Sequence, residues 1–181
     1  MTAQNNIPSL ESIDYLPYLD SEGQINSNFQ KKVGVYAIFN GEKMLQYIGY
    51  SRDIATSLKQ HFMRQPENCY WFKVETIERP NRTFLEEIRQ GWMAENGATP
   101  AGNSEDEDAW TQAIDVKPLM TAEEKENYEK TGGDELAQRK LLKNIARRVE
   151  AEILERLKTR GLQEKLRFNP KLKESGLLDL K

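Results

Sequence analysis

The chain has 181 residues, 30% of them charged and 38% hydrophobic, and a formal net charge of −3. No apolar run approaches the roughly 20 residues of a membrane-spanning helix, and the opening Met-Thr-Ala-Gln-Asn-Asn lacks the basic and apolar regions of a secretory signal, so a cytoplasmic setting is expected. One cysteine, Cys69, and one histidine, His61, exclude a disulfide framework and a classical zinc site.

Charge is unevenly spread. Residues 1–105 hold 10 basic and 13 acidic side chains, residues 106–133 hold 3 and 8, and residues 134–181 hold 13 and 8. The basic charge therefore follows an acidic segment. Four regions are predicted: an N-terminal arm over 1–30, a domain over 31–105, an acidic linker over 106–133, and a basic amphipathic helix with a tail over 134–181.

In the arm, Pro8 and Pro17 break any long helix. Its anchors Ile7, Leu10, Ile13, Tyr15, Leu16, Tyr18 and Leu19 suit an irregular segment packed on the domain; a free peptide ligand is the alternative. Val33–Phe39 and Leu45–Tyr50 are β-type runs around Asn40-Gly41, a strong hairpin signal. Alternation puts Val33, Val35 and Ala37 on one face, and Tyr36 and Ile38 on the other. Tyr36 and Tyr47 lie at similar distances from the turn and could face each other. Ser51 can cap a helix running to about Met63, with Asp53 favouring its positive end. Cys69–Ile77 reads as a third strand. Thr83–Asn96 reads as a second helix closed by Gly97.

Beyond a loop over Gly97–Asp108, Thr121-Ala122-Glu123-Glu124 is a capping-box pattern. From Asp134 to about Thr159, Leu141, Leu142, Ile145, Val149, Ile153 and Leu157 form one helical stripe. Lys140, Lys143, Arg147 and Lys158 fall on the opposite face. The tail alternates basic and apolar anchors around Phe168.

Gly34-Val35-Tyr36 and Tyr47-Ile48-Gly49 together resemble the paired motif of the GIY-YIG nuclease superfamily. A closer likeness, through Gly49-Tyr50-Ser51-Arg52-Asp53-Ile54 and Pro100-Ala101-Gly102-Asn103, is to the nuclease-like module at the front of a plant chloroplast glutaredoxin and to small cyanobacterial proteins. The resemblance covers roughly residues 32–104. It implies an α+β fold of order β-β-α-β-α, a three-stranded mixed sheet with flanking helices, followed here by the long amphipathic helix. No Cys-Gly-Phe-Ser-like redox motif is present, so no glutaredoxin activity follows from the sequence.

The family's chemistry is phosphodiester hydrolysis with one divalent metal, which lowers the pKa of its bound water and neutralises developing charge. Carried over residue by residue, the resemblance implies Tyr36 and Tyr47 as motif tyrosines, Glu86 as the magnesium ligand with Glu87 as a rival one residue away, and Asn103 as a brace. The helix arginine of the family has Ser57 in its place. Arg52, half a helix earlier, is the substitute, and His61 is a candidate base.

Three functional expectations follow. One is a weak or specialised Mg-dependent endonuclease acting on DNA. The alternative is a catalytically impaired nucleic-acid-binding or protein-interaction module on the same fold, with Lys140, Lys143, Arg147 and Lys158 as the basic contact face. The third is a homo-oligomer or partner protein joined through the C-terminal helix.

Overall fold

The computed structural model describes residues 6–181. Expectations for the first five residues, including part of the N-terminal arm, lie outside the described residues. The chain divides into two compact units: one runs up to Thr111 and includes Gly161–Gln163, and the other comprises Gln112–Arg160 and Glu164–Lys181.

The first unit is built on a sheet of β1 (Leu16–Pro17), β2 (Val33–Phe39), β3 (Leu45–Ser51) and β4 (Trp71–Ile77), in the order β1-β4-β2-β3. Every pairing in it is antiparallel. The expected three-stranded mixed sheet is thereby corrected to a four-stranded, wholly antiparallel one. The added strand comes from the arm, where Leu16 pairs with Phe72 and Pro17 with Trp71. A proline is tolerated at such an edge, where no further ladder bond is required of it.

Helix α1 (Ile54–Arg64) and helix α2 (Arg82–Asn96) flank the sheet. Val35, Ala37, Phe39 and Ile48 bury themselves against Leu85, Ile88 and Trp92 of α2, with Leu10 of the arm joining them. The opposite parity, Tyr36 and Phe72, meets α1: Tyr36 bonds to His61, and Tyr18 of the arm stacks on Phe62 while touching Phe72 edge-on. A sheet with apolar residues on both faces needs cover on both, and the two helices and the arm supply it.

Local details differ from the sequence expectation in two places. Asp53, not Ser51, caps α1 by accepting from the Thr56 amide, and Ser51 instead accepts from the Asp53 amide. Tyr36 lies opposite Gly49 and Tyr47 opposite Ile38, with a register shift between Ile38 and Phe39. The tyrosines are diagonal neighbours, with ring centroids 6.2 Å apart.

The second unit contains β5 (Ile114–Asp115), α4 (Ala122–Glu129), α5 (Glu135–Thr159), α6 (Pro170–Lys173) and β6 (Leu177–Leu178); the short α3 (Glu107–Thr111) closes the first unit. Thr121 and Glu124 form the reciprocal capping box of α4. Asp134 caps α5 through the Leu136 and Ala137 amides. Leu142, Ile145, Val149, Ile153 and Leu157 of α5 are buried. Arg148 grips Glu124 with two nitrogens, at 2.9 and 2.7 Å, and also holds Glu152.

Candidate functional site

Tyr36, Tyr47 and His61 are brought together between β2, β3 and α1. Tyr36 Oη lies 2.7 Å from His61 Nε2, and His61 Nδ1 lies 2.9 Å from the Trp110 carbonyl oxygen. A carbonyl only accepts, so Nδ1 carries the proton and donates to Trp110, and Nε2 accepts from the Tyr36 hydroxyl. Both ring nitrogens are thus engaged. Burial, with the Arg64 charge second, pushes the His61 pKa down to about 3. The ring stays neutral at any physiological pH. Burial likewise raises the phenol of Tyr36 well above its ordinary value, and that of Tyr47 as well.

Two participants were missed by sequence reasoning. Trp110 stacks on Tyr47 with centroids 5.3 Å apart and planes 3° from parallel. Arg64 donates to the Trp110 carbonyl at 3.2 Å. Arg64 follows Ser57 by seven residues on α1, a spacing that puts the two on one helix face. Nothing in the local pattern marks Trp110, which arrives on the short α3, far along the chain from the hairpin.

The motif glycines have a packing reason. A Cβ on Gly49 would sit 2.6 Å from the Tyr47 ring and 2.7 Å from the Tyr36 hydroxyl, and one on Gly34 would sit 2.2 Å from the Glu75 carbonyl. Asn103 braces the edge of β3. Its Oδ1 accepts from the Ile48 amide at 2.8 Å and its Nδ2 donates to the Ile48 carbonyl at 2.7 Å. The side chain thus supplies the pairing that an edge strand lacks.

Glu86 stands with another group. Arg89 holds its two oxygens at 3.1 and 2.7 Å, and Gln90 donates at 2.9 Å. The Arg89 bond first, then that from Gln90, lower its pKa to about 2. Glu87 beside it is exposed. Arg52 is exposed and lines a cavity of about 280 Å³ with Tyr50, Ser51, Asn81 and Arg82. A neighbouring cavity of about 470 Å³ shares Tyr50 and Arg82 and reaches Glu86, Glu87 and Gln90. On α5, Lys140, Arg147 and Lys158 are exposed and Lys143 is half-buried.

Among the described residues, no three His, Cys, Asp or Glu side chains form a group that could hold a metal ion. With Glu86 occupied by Arg89 and Gln90, the magnesium expectation is withdrawn.

No protein-family profile matches the chain. It is 31% identical over 101 residues to the bifunctional monothiol glutaredoxin-S16, chloroplastic, of Arabidopsis thaliana. The match takes in 54% of this chain and spans 33% of the relative's length. These findings overturn the assignment to the GIY-YIG nuclease superfamily: no nuclease profile answers to the paired motif, and the similar protein carries a glutaredoxin's name. The Mg-dependent endonuclease is withdrawn with it. So are the DNA partner and the oligomer or partner protein at the C-terminal helix. The cytoplasmic expectation is also corrected, since the relative is a chloroplastic protein.

Proposed function

We propose that the chain is a protein-interaction module serving a thiol-redox system, and that it does not itself exchange the thiol. The observation that supports this most is the burial of Cys69. The similar protein is a monothiol glutaredoxin, and thiol–disulfide exchange needs a thiolate that the partner disulfide can reach. Cys69, the sole cysteine, is 0% exposed, and its Sγ–H points at the His61 carbonyl 3.7 Å away.

The surface suited to a partner is the double cleft around Tyr50. Tyr50 and the exposed Arg82 line both cavities, the exposed Arg52 lines the smaller, and Glu86, ion-paired to Arg89, lines the larger. A half-buried tyrosine flanked by exposed arginines suits a protein segment carrying carboxylates.

The reactivity of Cys69 tests the reading. An aromatic disulfide reagent should react about a hundredfold more slowly with the native chain than with the unfolded chain, because attack requires local opening. The native chain and Cys69→Ser should be equally inert towards a glutathionylated peptide. Rapid native reaction together with exchange that Cys69→Ser abolishes would make the chain a thiol-exchanging protein instead.

A further inference from the structure

Away from that cleft, the tip of the β2–β3 hairpin holds an ammonium group between two aromatic rings. Lys43 Nζ lies 4.8 Å from the centroid of Tyr15 and 4.9 Å from that of Trp71. The two rings stand edge to face, 6.4 Å apart. Tyr15 also packs edge to face with Phe39 at 4.9 Å. Both walls are half-buried.

The backbone is bent to deliver this lysine. Lys43 has φ +60°, a left-handed conformation that a residue with a Cβ adopts only under strain. The turn is over-determined around it. The Asn40 carbonyl accepts from the Lys43 amide at 2.9 Å, and Asn40 Oδ1 accepts from Glu42 and Met44. Glycine or asparagine would suit that position better, yet a lysine occupies it with its charge over the two rings.

We propose that Tyr15 and Trp71 are the walls of an aromatic cage for a methylated ammonium group, with Lys43 as its built-in occupant. A ring quadrupole attracts any cation, but a methylated ammonium sheds its water more readily than a lysine and so gains more from the same walls. Lys73, whose Nζ lies 4.2 Å from the Tyr15 ring, does not forbid it. The incoming cation takes the place of Lys43, so the local charge is unchanged. Lys43 competes from within the same chain, at high effective concentration. The cage is therefore closed to weak ligands until the lysine swings out.

Lys43→Gly keeps the left-handed turn and empties the cage. The probe is tetramethylammonium, read at the Trp71 indole N–H resonance, with the Trp92 and Trp110 resonances reporting that the fold is intact. Saturable binding is expected in Lys43→Gly, about tenfold tighter than in the wild type. It should vanish when Trp71→Leu is added, and neopentyl alcohol, the neutral analogue, should leave the resonance unmoved. Choline and a short peptide bearing trimethyl-lysine, titrated in parallel, identify the source, the tighter of the two being the physiological form. Failure of the indole resonance to saturate in Lys43→Gly, or an equal response to the neutral analogue, overturns the cage. Equal affinity in Lys43→Gly and wild type overturns the role given to Lys43.

Discussion

His61 shows how one residue's environment decides its chemistry. As a lone histidine on a helix after a tyrosine-rich hairpin, it was a candidate base. In the structure it is a neutral, doubly bonded core residue. The consequence is pH-dependent stability. Its folded pKa, about 3, lies below the unfolded value of 6.5. Between those limits the unfolded chain binds a proton that the native chain refuses, so stability is full above pH 6.5 and falls as the pH drops toward 3. The slope approaches about 1.4 kcal/mol per pH unit. Glu86 adds to the loss only below its ordinary value of 4.5, and solvent screening weakens its share because the side chain is 38% exposed. Urea unfolding at pH 7, 6 and 5 should show stability declining at each step, and His61→Gln should flatten that decline while lowering stability at pH 7. A wild-type curve level from pH 7 to 5 would mean that the ring is charged, or solvated, in the native state.

The hairpin and its helices were legible as elements because alternation, Asn40-Gly41 and helical stripes are local signals. What was not legible came from distant pairings. The strand Leu16–Pro17 is two residues long and contains a proline, so only its partner β4 makes it a strand. The register that sets Tyr36 opposite Gly49 rather than Tyr47, and its shift between Ile38 and Phe39, are likewise properties of the pair. Among the candidate site residues, Tyr36, Tyr47 and His61 do converge, but the groups that complete their cluster, Arg64 and Trp110, were not found. Asn103 read as a brace, and its geometry shows how: one amide replaces a missing neighbour strand at Ile48. Asn103→Ala would leave a part-buried amide and carbonyl without that partner, at a cost of about 1–3 kcal/mol. Chemical denaturation should register this, with faster hydrogen exchange at the Ile48 amide. Unchanged exchange there would show that water serves the edge as well as the side chain does.

At the scale of the molecule, the groups with chemical potential are largely spent on the structure itself. His61 and Tyr36 bond to each other, Glu86 is held by Arg89 and Gln90, and Cys69 is fully buried. What remains outward is recognition chemistry: arginines flanking Tyr50, and rings around Lys43. The proposal that this surface serves a thiol-redox system rests on the similarity to a third of a glutaredoxin's length. Calorimetric titration of the chain with a monothiol glutaredoxin domain tests that account most directly. Saturable binding is predicted, weakened about tenfold or more by Arg82→Glu, since reversing one charge across a complementary interface costs on the order of 1–2 kcal/mol, and unaffected by Cys69→Ser. Absence of binding, or binding that survives Arg82→Glu and is lost in Cys69→Ser, would contradict it.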